Sequence, residues 1–203
     1  MGEQEEDMDN IRVVLASASP RREELLRQIG IIPEVIPSEI EEKVTEKEPD
    51  RVVTELSRQK AEEVAARLGE TDTQTTVVVG SDTVVYANGE ILGKPADEAD
   101  AARMLRMLQG DSHYVYTGVT LIAGNKKRSF AVETRVDVYP MSEKEIESYI
   151  ACKESDDKAG AYGIQGRFAA YIRGIDGSYT NVMGLPAGRV YQEMKQLLED
   201  RND

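Results

Sequence analysis

The chain contains 203 residues, of which 40% are hydrophobic and 31% are charged, and its formal net charge is −13. This balance permits one sizeable hydrophobic core, as in ordinary globular proteins. The acidic excess argues against binding to a nucleic acid polymer or to an anionic membrane surface, which both need a basic surface, but it leaves room for a small anionic ligand held by a local group of Arg and Lys residues.

The beginning of the chain and its single cysteine indicate a protein of a reducing compartment. Residues 1–9 are acidic and lack the apolar run of a secretory signal, so we interpret them as a disordered extension ahead of a single folded domain over residues 10–203. Cys152 is the only cysteine, which rules out a disulfide within the chain and favours a cytoplasmic location. No apolar run in the sequence reaches the length of a membrane span.

Apolar periodicity and turn residues predict helices and strands that alternate along most of the chain. The turn pairs Asn88-Gly89 and Gly124-Asn125 each predict a hairpin, so the pattern favours an α/β or α+β fold with a mixed sheet. The predicted helices are 20–29, with Ser19 as N-cap, 49–68, 97–109 and 142–150, both of which include their N-cap, and 186–199. The predicted strands are 11–16, 34–37, 76–86, a short strand after residue 89, 115–123, 128–138 and 169–173.

Asp82 interrupts a strand pattern that is otherwise rich in Val and Thr. Asp is depleted in strands, and burying a carboxylate among apolar side chains is costly. One interpretation is that Gly80 and Ser81 form a bulge that turns Asp82 to solvent. The other is that Asp82 is a metal ligand or a general base held on a rigid strand.

Lys60 lies within an apolar stripe of the predicted helix 49–68, four residues from both Leu56 and Val64. Its stem could pack in the stripe while the ammonium group reaches solvent. The alternative is that the ammonium group binds a ligand, and the pattern alone leaves both interpretations open.

The turn between the first strand and the first helix carries Ser17, Arg21 and Arg22. A helix N-terminus favours an anion, and adjacent Arg side chains add forked donors for phosphate oxygens.

The loop 158–166 is rich in Gly and Ala, so its backbone can approach a ligand closely. The only histidine, His113, has no partner of a zinc signature and is expected to be structural. Together these residue types suit metal-assisted phosphoryl chemistry.

Five segments, in this order, resemble the Maf family, and the match extends over nearly the whole predicted domain. The first and fourth segments are long and specific. Small departures are Ser81, where many members have Ala, and Gln109, where Ser is usual. The segments are LASASPRREELL (15–26), GSDTVV (80–85), GKP (93–95), DKAGAYGIQG (157–166) and GLP (184–186).

The resemblance implies an inosine-triphosphatase-like α/β fold, with a curved mixed β-sheet, packed helices and a cleft between two lobes. It implies a divalent metal cation, Mg²⁺ or Mn²⁺, often a homodimer, and hydrolysis of dTTP and UTP to the monophosphate and pyrophosphate. It places Asp82 at the family's proton acceptor, and Arg21, Thr83 and Gln165 at positions tied to substrate choice. The other active-site positions it implies are Ser17, Arg22, Glu42, Lys60 and Lys94.

Our sequence-based hypothesis assigns catalysis to Asp82, Lys60 and Lys94, and metal binding to Glu42 and Asp82. Substrate binding is assigned to Ser17, Arg21, Arg22, Thr83 and Gln165. A carboxylate bound to metal is a poor base, so the role of Asp82 stays open at this point. Two rival functions also stay open: pyrophosphatase activity on purine or modified nucleotides, and a nucleotide-binding regulator of cell division.

Overall fold

The structure is a computed structural model that describes residues 11–69 and 76–199. The interpretation of residues 1–9 as an extension lies outside the described residues, and the single domain over 10–203 stays a prediction. The strands are β1 (Arg12–Leu15), β2 (Glu34–Val35), β3 (Thr76–Ala87), β4 (Glu90–Leu92), β5 (Ser112–Ala123), β6 (Lys126–Val138) and β7 (Ile172–Asp176). The helices are α1 (Pro20–Gln28), α2 (Pro49–Leu68), α3 (Glu98–Leu108), α4 (Glu143–Ile150), α5 (Tyr179–Val182) and α6 (Ala187–Glu199), with 3₁₀ turns at Ala159–Ala161 and Arg167–Tyr171.

The strands form one mixed sheet in the order β2-β1-β3-β5-β6-β7, with β4 paired to the end of β3. Strand β1 runs parallel to both β2 and β3. Strands β5, β6 and β7 follow as antiparallel neighbours. The expected α/β fold with a mixed sheet is therefore confirmed. Among the described helices, none is long and apolar enough to cross a membrane.

The direction in which strands are added reverses at β1. The chain passes from β1 through α1 to β2 on one side, and then through α2 to β3 on the other side. In open α/β sheets such a reversal leaves a crevice beyond the carboxyl ends of the strands, where ligands commonly bind. The turn 16–19, directly after β1, stands at this place.

Helix α2 lies unusually close to one face of the sheet, because two strand positions have no side chain. A Cβ atom added to Gly80 would lie 2.3 Å from the carbonyl oxygen of Ser57, and one added to Gly118 would lie 2.2 Å from that of Val53. Neither backbone carbonyl can move away without shifting the helix. The two glycines therefore set the distance between α2 and the sheet, and so between Lys60 and Asp82.

The opposite face of the sheet carries the main hydrophobic core, to which α1, α3, α4 and α6 contribute. Leu25, Leu105, Ile146 and Met194, one from each helix, are at most 1% exposed. Full burial of a side chain of this size stabilises the folded state by about 1.5–3 kcal/mol. The strands and the turns at their ends are thus held between α2 and a thick apolar layer.

Local signals predict the bounds of the long helices to within one residue, whereas β5 and β6 begin three and two residues before their predicted starts. The bounds of α2 are those predicted, because Pro49 occupies its first turn and Gly69, with φ of 79°, ends it. The capping box of Ser142 and Glu145 is present, and the Asp97 side chain caps α3. Ser19 occupies the N-cap of α1, but its side chain makes no capping hydrogen bond.

The predicted strand over residues 169–173 is wrong at its start. Residues Arg167–Tyr171 form a 3₁₀ helix, and the strand covers Ile172–Asp176. Phe168 is fully buried among aromatic rings, including those of Tyr149 and Tyr162. This packing favours a turn conformation over the extended one that the local sequence suggests. Helix α5 was not predicted.

Candidate active site

A cleft of about 980 Å³ opens beyond the carboxyl end of β1. The turn after β1, α2, β3 and the loop 158–166 all contribute to its walls. The structure brings every predicted site residue to this cleft, although their roles stay predictions. These lining residues are Ser17, Arg21, Arg22, Glu42, Lys60, Asp82, Thr83, Lys94 and Gln165.

Lys60 lies between two carboxylates at the floor of the cleft. Its Nζ is 2.5 Å from Asp82 Oδ1 and 3.0 Å from Glu42 Oε1. The side chains of Lys60 and Asp82 are 15% and 14% exposed, so the ammonium group does not extend into bulk solvent as the packing interpretation requires. Asp82 pairs in regular register with Gly118, so the bulge that would turn it to solvent is absent from β3.

Arg22 connects three segments around the cleft through its hydrogen bonds. Its Nε donates to the carbonyl of Gly184 at 2.8 Å, and its NH1 donates to Ser17 Oγ at 3.0 Å and to the carbonyl of Ser81 at 2.9 Å. Its NH2 donates to Thr83 Oγ1 at 3.1 Å. Burial lowers the pKa of Arg22, and the carboxylates of Asp82 and Glu42 oppose this shift.

A guanidinium group has five N–H donors, and four hydrogen bonds to protein oxygens occupy those of Arg22 almost completely. Arg22 therefore has little capacity left for phosphate oxygens, in contrast to the expectation from the sequence. The Thr83 hydroxyl is likewise engaged, since it accepts from Arg22 and lies 3.0 Å from Thr117 Oγ1. Both residues mainly hold the turn after β1 against β3.

Arg21 and Lys94 are better placed to meet an anion. Arg21 NH1 contacts only the exposed Asp157 carboxylate, at 3.3 Å, among the interactions of the described residues. Lys94 is exposed at the mouth of the cleft, in the turn that precedes α3. The carbonyl of Gly93 accepts from the Gly160 amide at 3.0 Å, which joins this turn to the Gly-rich loop.

The turn that carries Gln165 is held on both sides. The Gly163 amide donates to the Tyr149 hydroxyl at 3.2 Å, and the Arg167 amide donates to Glu154 Oε2 at 2.8 Å. A Cβ atom added to Gly166 would lie 2.0 Å from the same Glu154 oxygen. Gln165 itself is exposed and lines the cleft. The backbone is thus fixed where the side chain faces the ligand space.

Three charged residues of the cleft wall were not assigned by the sequence. Lys158 Nζ donates to Asp157 Oδ1 at 2.6 Å and to the carbonyl of Glu154 at 2.7 Å. Asp157 and Lys158 lie inside the fourth quoted segment, which gave a signal but no role. Glu154 lies outside every quoted segment, and only its contacts identify it.

The carboxylates fit a divalent cation, to which the phosphate oxygens of a substrate would add further ligands. Within residues 11–69 and 76–199, no group of three or more His, Cys, Asp or Glu side chains could hold a metal ion. Glu42 and Asp82, however, already flank the positive charge of Lys60. Mg²⁺ is typically held by one or two carboxylates plus phosphate oxygens and waters, and this donor set suffices for that mode.

His113 has a structural position, as its lack of metal-binding partners predicted. It is 1% exposed, and its Nε2 lies 2.7 Å from the hydroxyl of Tyr162 in the Gly-rich loop. Burial lowers the pKa of His113 to about 4, against weaker opposing effects of Asp137 and Asp111. The residue therefore supports the loop in its neutral form.

We expect His113 to make the protein less stable in acid. The pKa is about 4 when folded and about 6.5 when unfolded, so the stability is complete above pH 6.5 and is lost as the pH falls towards 4. Between pH 7.5 and 4.5 this group should lower the free energy of unfolding by about 2–3 kcal/mol. Urea unfolding of the wild type and of His113→Asn at both pH values measures the effect. Equal losses in the two proteins would contradict it.

The fold and the cleft define an α/β protein whose sheet reverses at β1 and whose crevice there joins carboxylates to Arg and Lys side chains. That arrangement is typical of proteins that bind small phosphorylated ligands. The chain belongs to the Maf family, because the family model described as Maf-like protein matches residues 12–197. The resemblance found in the sequence is thereby confirmed.

Curated relatives are similar over nearly the whole chain. The dTTP/UTP pyrophosphatase of Agathobacter rectalis is 52% identical over 199 residues, which cover 92% of this chain and 97% of the relative. That of Carboxydothermus hydrogenoformans is 48% identical, with 92% of this chain and 98% of the relative covered. A solved HAM1 protein from Coxiella burnetii is 15% identical with a TM-score of 0.49, over 94% of this chain and 99% of that one.

Proposed function

We propose that the chain hydrolyses dTTP and UTP to the nucleoside monophosphate and pyrophosphate. The observation that carries the proposal is the Lys60–Asp82 pair at the floor of a cleft with further cationic side chains. Relatives that are 52% and 48% identical bear the name dTTP/UTP pyrophosphatase, which supports this choice of substrate. A protein that only bound nucleotides, such as a regulator of cell division, would gain nothing from a carboxylate beside the phosphates.

In the proposed mechanism the triphosphate lies in the cleft with its outer phosphates towards Arg21 and Lys94. In the turn 16–19 the amides of Ala16 and Ser19 already donate to the Val79 carbonyl and to Ser17 Oγ, so the amides between them would meet phosphate oxygens. Asp82 orients the attacking water and accepts its proton, while Lys60 keeps the carboxylate in place at 2.5 Å. The water attacks the α-phosphorus, and the bond to the bridging oxygen of pyrophosphate breaks.

The negative charge that develops on pyrophosphate is stabilised by the cationic side chains of the cleft. Preorganised charges of this kind usually make the largest contribution to catalysis. During the reaction Glu42 would hold Mg²⁺ or Mn²⁺ together with phosphate oxygens, because an Asp82 carboxylate bound to the metal would be a poor base. When bound, the metal neutralises phosphate charge and polarises the bond to phosphorus. Arg22 and Thr83 act indirectly, because their hydrogen bonds position the turn and β3.

Incubation with the eight common nucleoside triphosphates and Mg²⁺ tests the proposal, with separate quantification of every product. We expect UTP and dTTP to be the best substrates, each giving monophosphate and pyrophosphate in equal amounts. Diphosphate with orthophosphate would refute the site of cleavage. Preference for purine nucleotides would support the other branch of the family. Binding without turnover would support the regulator.

We expect Gln165→Ala to reduce discrimination between UTP and CTP. Uracil presents an acceptor at O4 and a donor at N3–H, and one amide can pair with both. Cytosine reverses this order, and a flipped amide would pair with it, so the prediction requires that neighbouring groups fix the orientation of the Gln165 amide on the backbone held by Tyr149 and Glu154. Leaving both groups unpaired at about 1–3 kcal/mol each should lower kcat/KM for UTP by roughly 30-fold or more. CTP turnover should change little.

The control for this prediction is Gln28→Ala, which removes an exposed glutamine of α1 outside the cleft. Its kcat/KM values should equal those of the wild type for both nucleotides. An unchanged UTP to CTP ratio in Gln165→Ala would remove Gln165 from base recognition and leave the pyrophosphatase proposal intact.

We further propose a homodimer in the cytoplasm, as the family resemblance and the single cysteine imply. Light scattering of the purified protein tests the oligomeric state, and a mass of about 22.5 kDa would identify a monomer. The absence of a nucleic acid partner rests on the net charge of −13.

A further inference from the structure

Residues 37–46, here called the strap, cross the outer side of α2 without forming a helix or a strand. Pro37, Ser38 and Glu42 of the strap line the cleft. A segment of this kind has no secondary-structure partners for its backbone groups, so its position depends on other hydrogen bonds. These bonds come from α2.

Four side chains of α2, spaced four residues apart, bind the strap. Glu55 accepts from the Thr45 amide at 2.9 Å and from its hydroxyl at 2.6 Å. Glu63 accepts from the Glu39 amide at 3.2 Å. The remaining two are Gln59, which contacts Lys43, and Arg67, whose NH1 donates to the carbonyl of Pro37 at 3.2 Å.

The spacing explains the geometry of this row. Side chains four residues apart lie one above the other on the same face of a helix. Contacts descend along the strap from Thr45 to Pro37 as they ascend along α2, so the two segments are antiparallel. The row therefore holds the strap at four points between Thr45 and Pro37.

Of the four side chains in the row, Gln59 is the one that binds the strap residue next to Glu42. Its Oε1 accepts from the Lys43 amide at 3.0 Å, and its Nε2 donates to the Lys43 carbonyl at 2.6 Å. The next residue of the helix, Lys60, is 3.0 Å from Glu42, the next residue of the strap towards Pro37. Gln59 thus holds the main chain of Lys43. Its neighbour Lys60 holds the carboxylate of the adjacent strap residue, Glu42.

We propose that Gln59 is a positioning residue that sets the location of Glu42 and thereby the affinity of the cleft for a divalent cation. Glu55 and Glu63 hold the strap on either side of this point. The inference rests on the proposed function, in which Glu42 is a metal ligand. Removing partners that orient a metal ligand typically weakens metal affinity by about 10–100-fold.

The test measures Mn²⁺ binding to the nucleotide-free protein by the electron paramagnetic resonance signal of free Mn²⁺. Gln59→Leu removes both hydrogen bonds to Lys43. Gln59→Glu keeps an acceptor for the Lys43 amide but has no donor for the Lys43 carbonyl. We expect affinities about 10-fold weaker for Gln59→Leu and an intermediate value for Gln59→Glu. Ala66→Leu, at an exposed position of the same helix, is the control and should bind Mn²⁺ as the wild type does. Glu42→Gln should bind at least as weakly as Gln59→Leu.

Hydrogen exchange provides a second readout that does not depend on the metal. In Gln59→Leu the Lys43 amide should exchange faster, while the amides of β3 keep wild-type rates, which also verifies the fold. Equal Mn²⁺ affinities in the wild type, Gln59→Leu and Glu42→Gln would overturn the inference, as would absence of binding in all of them. Pyrophosphate release from UTP by the wild type in either case would leave the proposed function standing.

Discussion

Asp82→Asn is expected to lower kcat at least ~100-fold, the low end of what a positioned acid–base group contributes. Asn retains the shape of the side chain but cannot accept a proton from water at neutral pH. Asp82 lies on a regular strand whose neighbour Gly118 allows α2 to approach closely, so its position is fixed by the sheet and not by a mobile loop. The effect should therefore arise from the lost charge.

The fold should survive this substitution. Lys60 keeps its second partner, because Glu42 Oε1 lies 3.0 Å from Nζ, so no cation is left unpaired. The substitution weakens the hydrogen bond between Lys60 and residue 82 without removing it. The free energy of unfolding should therefore change by less than ~1 kcal/mol. Chemical denaturation alongside the kinetics distinguishes a chemical loss from unfolding.

Asp137→Asn is the matched control. Asp137 is also a strand aspartate with hydroxyl and cationic partners, Ser112 and Arg135, but it does not line the cleft. Its kcat should stay within about twofold of the wild type, as for substitutions away from the site. A folded Asp82→Asn variant that retains nearly full activity would show that Asp82 is not the proton acceptor.

The sequence predicts most of the fold because the signals for its elements are local. Pro49 and Gly69 define α2 to the residue, and the Ser142–Glu145 box defines the start of α4. The strand after the Gly-rich loop is misplaced because its start is decided by distant groups. The Arg167 amide bonds to Glu154, thirteen positions away, and Phe168 enters an aromatic cluster.

The sequence predicts which residues line the cleft, but not the hydrogen bonds that these residues and their neighbours make. The quoted segments contain seven of the nine predicted residues, Glu42 and Lys60 being the exceptions, and all nine line the cleft. The bracing role of Arg22 depends on Ser81 and Gly184, which are far from it in sequence. The row from Glu55 to Arg67 resembles a solvated polar helix face, so no local pattern could reveal that it binds the strap.

Lys60→Met is expected to change two properties in opposite directions. The ammonium group makes a charge-assisted contact with Asp82 at 2.5 Å, and such bonds contribute about 1.5–3 kcal/mol. Because Lys60 holds the proposed base and adds positive charge to the cleft, its loss should lower kcat/KM for UTP by at least ~100-fold, as for removal of one preorganised group from a site. Metal affinity without nucleotide should rise, because Lys60 is the positive charge that Glu42 and Asp82 now share.

The size of the rise follows from electrostatics. Two unit charges 4 Å apart interact by about 4 kcal/mol at an effective dielectric constant of 20, and an open cleft retains only part of this. Even about 1.4 kcal/mol of relieved repulsion strengthens Mn²⁺ binding about tenfold. A Lys60 that merely packed its stem would change neither quantity, because Met preserves the apolar volume.

Lys127→Met separates the effect of this site from that of losing any lysine ion pair next to α2. Lys127 pairs with Glu62 at 2.7 Å, but both side chains are more than 40% exposed. Exposed pairs contribute at most about 1 kcal/mol, so this variant should keep wild-type kinetics and Mn²⁺ affinity. If Lys60→Met lost activity without binding Mn²⁺ more tightly, Lys60 would take part in the reaction but would not compete with the metal for Glu42 and Asp82. Wild-type values of kcat/KM and of Mn²⁺ affinity would show that Lys60 is only structural. Its positive charge would then have no part in the proposed mechanism.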